Sequence, residues 1–168
     1  MTIDQDQMIH GGALIQIAEH PQFTAINSLT IGNKKFAHVY KINDHISIYF
    51  KYSRKPKSIF KEYLFTFKNE HLRDLAEIAK VNQSNFIGLV CVDDREVCVL
   101  SYEALRTMVE QRRLAAGRKE DQYVVAVTAQ PRKRLRAYVN APGKKKTILG
   151  KAIVVSRKAF PDVLFSMG

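Results

Sequence analysis

The stretch FIGLVCVDDREVCVLS, residues 86–101, decides the fold class of this chain. Residues 86–92 form an unbroken apolar run, which is typical of a β-strand covered on both faces. The sequence DDR at 93–95 predicts a turn, and residues 96–100 predict a second strand. Ser101 is a suitable N-cap for a helix with one apolar stripe. A doubly covered strand beside a helix indicates an α/β fold.

Upstream of this stretch, alternating side chains predict three further strands. We expect them at residues 36–42, 45–53 and 62–68, with a turn at Asn43-Asp44 between the first two. In the first strand every second residue from Phe36 to Ile42 is expected on one face. In the second, Ile46, Ile48 and Phe50 are expected to point inward.

Two helices frame these strands. Helical spacing of apolar residues predicts one at residues 69–80, with Asn69 at its start. The other is expected at about residues 12–20. Gly11 and Gly12 are placed at its start, because a glycine inside a helix costs about 1 kcal/mol.

The last third of the chain is expected to be a basic β extension. Strands are predicted at 123–129, 135–140 and 148–156, with an edge strand at 160–165, and residues 112–121 read as a polar linker. We therefore divide the chain into a core at 1–115 and the extension at 116–168.

The charge of the chain is high and unevenly distributed. Lys and Arg number 27 against 16 Asp and Glu, a net charge of +11 with a pI near 9.7. Residues 1–33 contain no Lys or Arg, whereas residues 112–158 contain fourteen and only two acids. A charge that served solubility alone would not segregate in this way, so a polyanionic partner is favoured, nucleic acid first.

The composition also excludes some classes of protein. No run approaches the roughly 20 apolar residues that cross a bilayer, and the N-terminus lacks the pattern of a secretion signal. Two cysteines, Cys91 and Cys98, lie in apolar runs and are interpreted as core residues of a reducing compartment. We expect a cytoplasmic protein with no membrane partner.

Residues 38–105 resemble the core of the PD-(D/E)XK, or restriction-endonuclease-like, superfamily, closest in pattern to Holliday-junction resolvases of the archaeal type. The shared order is an N-terminal helix, a meander of three strands, a crossover helix, a strand pair and a helix. SIYFKYS, residues 47–53, occupies the place of the family's ExK strand, with Lys51 at the lysine. The resemblance implies a central mixed sheet flanked by helices, with the basic β extension appended.

The chain departs from this family at its acidic residues. The resemblance implies a strand-borne Asp and a Glu that hold a divalent cation, since Mg²⁺ prefers hard oxygen ligands. Tyr49 stands where the Glu is expected, and the strand at 36–42 has no acid. A degenerate site without a cofactor is therefore the first hypothesis. The alternative is an active Mg²⁺-dependent endonuclease whose catalytic residues are Lys51 with the relocated carboxylates Asp44 and Glu62.

The first hypothesis is nucleic-acid binding, DNA before RNA, within a larger assembly that includes protein partners or further copies of the chain. A second alternative is an interaction subunit for an acidic protein. The aromatic side chains Tyr63, Phe65 and Phe67 are expected in the core, although base stacking is an alternative for them. The expected phosphate-binding residues are Lys51, Arg54, Lys55, Lys57, Arg132, Lys133, Arg134, Arg136, Lys144, Lys145 and Lys146.

Overall fold

The computed structural model describes residues 1–144 and 147–166 and has two β-sheets and three α-helices. The fold is mixed α/β, as the sequence predicts. In chain order the helices and strands are α1 (Gln5–Ala18), β1 (Ile26–Ile31), β2 (Lys34–Ile42), β3 (Ile46–Ser53), β4 (Glu62–Lys68), α2 (Asn69–Val81), β5 (Ser84–Cys91), β6 (Glu96–Ser101), α3 (Tyr102–Ala116), β7 (Gln122–Thr128), β8 (Leu135–Tyr138) and β9 (Ile153–Val155).

The first sheet has the strand order β1-β2-β3-β5-β6. The apolar run at 86–92 supplies most of β5, which lies parallel to β3 and antiparallel to β6. Its residues are buried from Phe86 to Cys91, so the prediction of a doubly covered strand is confirmed. Gly88 faces the ring of Phe50 so closely that a Cβ atom would lie 2.8 Å from two ring carbons. The centre of this core is therefore tightly packed.

The second sheet, β4-β7-β8-β9, corrects the predicted meander. The strand at 62–68 has the predicted bounds, but it pairs with β7 and not with β3. The meander is completed instead by β1, a strand that the sequence analysis missed. The second sheet thus takes one strand from residues 1–115 and three from 116–168. Tyr63, Phe65 and Phe67 are all buried on its inner face, so they are core residues.

The N-terminal helix begins seven residues earlier than predicted. Asp4 is its N-cap, and Gln7 completes a capping box: the Gln7 amide donates to Asp4 Oδ1 at 2.8 Å and the Asp4 amide donates to Gln7 Oε1 at 3.0 Å. These bonds satisfy amides that the first turn leaves without partners. Gly11 and Gly12 consequently lie inside the helix and not at its start.

Four further predictions of local structure are wrong. His38 has a positive φ of 64°, so the alternation of β2 shifts and the buried residues become Phe36, Val39 and Ile42. Helix α3 continues to Ala116 and ends at Gly117 in the left-handed region, which shortens the predicted linker. The predicted strand at 160–165 is a 3₁₀ turn at Asp162–Phe165, and β9 is shorter than the strand predicted at 148–156.

Candidate nucleic-acid interface

Ion pairing separates the basic residues into two groups. In five of them the charged group lies against a carboxylate: Lys34 with Asp74, Lys61 with Asp94, Arg112 with Glu120, Arg113 with Glu110, and Arg157 with Glu96. Within residues 1–144 and 147–166, the structure pairs none of Arg132, Lys133, Arg134 and Arg136 with a carboxylate, and all four are exposed. We call these four residues the basic ridge.

The basic ridge lies on and beside the turn between β7 and β8. The guanidinium of Arg157 holds this turn: Nε donates to the Lys133 carbonyl at 2.8 Å and Nη2 donates to the Gln130 carbonyl at 2.7 Å. Its Nη1 lies 3.5 Å from Glu96 Oε1, which links the turn to β6. Arg157 was counted with the other cations of the last third, but its contacts make it a positioning residue for the ridge.

The register of the second sheet aligns the ridge with the loop before β4. Lys57 pairs with Glu62, Glu62 pairs with Thr128, and Thr128 pairs with Arg136, so four residues form one row across neighbouring strands. Neighbouring strands are about 4.8 Å apart, so three such spacings place the backbones of Lys57 and Arg136 roughly 14 Å apart. Two cations at this separation can contact different phosphates of one nucleic-acid backbone. The structure therefore brings the predicted Lys57 to the same surface as the ridge.

A cleft of about 420 Å³ opens beside the ridge, on the outer face of the second sheet. We call it the ridge cleft. Its polar wall includes Glu62, whose carboxylate accepts a hydrogen bond from the Tyr138 hydroxyl. Burial and this hydrogen bond raise the pKa of Tyr138, so the phenol stays protonated. The lining residues are Ser58, Phe60, Glu62, Thr128, Gln130, Lys133, Arg134, Arg136, Tyr138 and Ile148.

The other predicted phosphate-binding residues lie around this surface or apart from it. Arg54 and Lys55 are exposed in the loop between β3 and β4. Lys144 is exposed. Asn140 and Ile148, on either side of it in the sequence, form an antiparallel bridge, and Ile148 lines the ridge cleft. Lys145 and Lys146 lie outside the described residues.

Lys51 lies in a different cleft, of about 480 Å³, which we call the lysine cleft. The pairing of β2 with β3 ends at Val39 and Tyr49. The lysine cleft lies beyond this point, between His38 of β2 and residues 49–52 of β3. The ammonium of Lys51 lies 3.3 Å from Nδ1 of His71 and 5.1 Å from the centre of the Phe67 ring. Burial and then the charge of Lys68 lower the pKa of Lys51. Burial likewise lowers the pKa of His71, with Lys51 as the next cause.

Helix α1 supplies polar residues to the lysine cleft that the sequence analysis missed. Asp6 accepts a hydrogen bond from the Tyr52 hydroxyl at 2.9 Å and lies 3.7 Å from Nε2 of His38. The buried ring of His10 lies 5.2 Å from the ring of His38, and its Nε2 has no hydrogen-bond partner among the described residues. Burial and the neighbouring His38 lower the pKa of His10. The capping box at Asp4 and Gln7 was the signal that places Asp6 and His10 one turn apart on a helix.

The carboxylates of the endonuclease alternative do not line the lysine cleft. Asp44 is exposed in the turn between β2 and β3, and Glu62 lines the ridge cleft. Across residues 1–144 and 147–166, no three of His, Cys, Asp and Glu lie close enough together to hold a metal ion. We therefore derive no step through the divalent cation that the resemblance implies.

Comparison with protein-family models, with curated proteins and with solved structures found no match to this chain. In the part of the chain that the structure describes, no helix combines the length and the apolar character that a bilayer crossing requires.

Proposed function

We propose that this chain is a cytoplasmic nucleic-acid-binding protein with a restriction-endonuclease-like fold that has lost its catalytic carboxylates. The observation that carries the proposal is the basic ridge: four exposed cations in one short segment, none with a described carboxylate partner. Such a group neutralises phosphates and releases their counterions, which is the main source of affinity for nucleic acids of any sequence. DNA is proposed before RNA, in keeping with the resemblance.

The loss of catalysis is supported by Tyr49, which stands in the place of the family's Glu, and by the lining of the lysine cleft, in which Asp6 is the single carboxylate among the described residues. Tyr49 stands on the same side of β3, with the Lys51 ammonium 5.9 Å from the centre of its ring. A phenol with a pKa raised by burial to about 12 is neutral at physiological pH and is no substitute for a carboxylate ligand. In this proposal Lys51 contributes at most a phosphate contact.

A role within a larger assembly is supported by the outer surface of α1. Met8 and Ile15 are exposed there despite their apolar side chains. Met8 also lines a cleft together with the apolar residues Ile9, Ala13 and Val90. Contiguous exposed apolar surface is typical of surfaces that contact another macromolecule.

The experiment is a binding panel with the intact chain. Fluorescence anisotropy with labelled single-stranded, duplex and branched DNA and with RNA, at low salt, is expected to show binding without strict sequence preference. The same samples, incubated with Mg²⁺ and then denatured on a gel, are expected to contain uncut strands. Mg²⁺-dependent cutting that is lost in Asp44→Ala or Glu62→Ala would establish the endonuclease alternative instead.

The panel also separates the protein-partner alternative. Polyglutamate serves as an acidic polymer without phosphates or bases. Binding to polyglutamate with no binding to any nucleic acid would overturn the proposal and favour an acidic protein partner.

A further inference from the structure

The loop before β4 ends in a small hairpin that presents two apolar side chains. The Lys57 amide donates to the Glu62 carbonyl at 2.8 Å, and the Glu62 amide donates to the Lys57 carbonyl at 2.9 Å. These bonds close the loop around Ser58, whose hydroxyl accepts from the Phe60 amide at 3.2 Å. Ile59 is 89% exposed and Phe60 is 45% exposed. An ordered turn therefore holds an aromatic ring beside the basic ridge.

The two apolar residues differ in where they lie. Phe60 lines the ridge cleft, whereas Ile59 is outside it. The cleft also contains the apolar side chain of Ile148, the ring of Tyr138 and the carboxylate of Glu62. These features match those of a nucleotide. The aromatic ring can stack on the flat base, the carboxylate can accept a hydrogen bond from an N–H group of the base, and the cations can contact the phosphate.

We propose that the ridge cleft holds one unpaired nucleotide of a single strand, with its base stacked on Phe60 and its phosphate against Arg134 and Arg136. This inference rests on the proposed function and adds the kind of strand that is bound. A base in a duplex is covered on both faces by its neighbours, so it cannot stack on Phe60 without being extruded at a cost of a few kcal/mol. The cleft should therefore discriminate against duplexes.

Glu62 provides the polar contact to the base. The Tyr138 hydroxyl donates to Oε2, and none of the described residues donates to Oε1. A carboxylate oxygen is an acceptor, so it can accept a hydrogen bond from an amino or ring N–H group of the base. Stacking supplies affinity that is largely independent of sequence, in agreement with the sequence-independent binding proposed above.

The experiment compares Phe60→Ala with Ile59→Ala, a matched control on the same turn. We expect Phe60→Ala to weaken binding of a labelled single strand by about tenfold, since a base–aromatic stack contributes on this order. Ile59→Ala should leave it within about twofold of the unmodified protein. Phe60→Trp should preserve binding, because the larger ring keeps the stacking surface. The dependence of affinity on salt should be the same in all four proteins, because no phosphate contact changes.

Other outcomes identify which claim fails. Equal losses for Phe60→Ala and Ile59→Ala, or equal effects of Phe60→Ala on single strands and duplexes, would overturn the inference and leave the proposed function standing. Free mononucleotide bound as tightly as a single strand would also overturn it, since the cleft would then be a small-molecule site. No binding to any nucleic acid would overturn both. Circular dichroism of each variant confirms that the fold is retained.

Discussion

Neutralising the basic ridge provides a quantitative prediction. In the variant Arg132→Gln, Lys133→Gln, Arg134→Gln and Arg136→Gln, four exposed cations are removed and no described ion pair is broken. With Lys57 added from the same row of the second sheet, about five phosphate contacts are expected. For a single strand, log K should then fall against log salt concentration with a slope of roughly −3.5.

The size of the effect follows from the same relation. Each lost contact removes about 0.7 from the slope, which corresponds to about fivefold in affinity at 0.1 M salt. The four substitutions together should weaken binding by about 600-fold and leave a slope near −0.7. Anisotropy titrations of one labelled single strand at several salt concentrations measure both quantities.

A matched control has the same change in net charge at a different surface. Lys35, Arg73, Lys80 and Arg106 are exposed and line neither cleft. Their replacement by Gln should change the slope by less than about 0.7, which is the contribution of one phosphate contact. Equal losses in the two variants would refute the reasoning, because affinity would then follow net charge and not the arrangement of the ridge.

Further predictions concern stability. Gly88→Ala should lower the free energy of unfolding in urea by about 1–3 kcal/mol, since its Cβ would meet the Phe50 ring at 2.8 Å. Gly11 lies inside α1 with open space around the position of a Cβ atom, so Gly11→Ala should raise the free energy of unfolding by about 0.5–1 kcal/mol. A destabilising Gly11→Ala together with a stabilising Gly88→Ala would contradict the packing described here. Arg157→Ala should cost about 1–3 kcal/mol, because it removes hydrogen bonds from a charged donor to the Lys133 carbonyl and to the Gln130 carbonyl, which keeps the Lys133 amide as its other donor. Lys158→Ala at the exposed neighbour should stay within about 0.5 kcal/mol. Because burial raises the pKa of Tyr49 to about 12 from about 10, the unfolded chain loses the phenol proton first, so stability should fall as pH rises from about 10 to about 12. This loss should be smaller in Tyr49→Phe, and an unchanged pH dependence would contradict the burial of Tyr49.

Local pattern predicted much of the fold but not the partners of the strands. The alternation of Tyr63, Phe65 and Phe67 correctly predicts β4 and its buried face. It carries no information on whether β4 pairs with β3 or with β7, which lies about 60 residues further along the chain. Pairing is decided by packing between distant segments, so the second sheet could not be derived from residues 62–68 alone.

The candidate site was predicted in part for the same reason. The charges of Arg132–Arg136 are visible in the sequence, but their lack of carboxylate partners depends on which acids the fold brings near them. Phe60 gave only a weak signal, as an apolar residue between the cations of KSIFK. His38 was expected to continue the alternation of β2, and nothing local indicated that it adopts a positive φ.

The most direct test of the central claim is to locate a bound strand on the protein. Ultraviolet cross-linking of a photoreactive single-stranded oligonucleotide to the intact chain, followed by mass spectrometry of the peptides, gives the residues in contact. The account predicts cross-links at residues 57–62 and 130–138, which contain the ridge and most of the residues that line its cleft. Cross-links confined to α2 and α3, or dispersed over the whole surface, would contradict it.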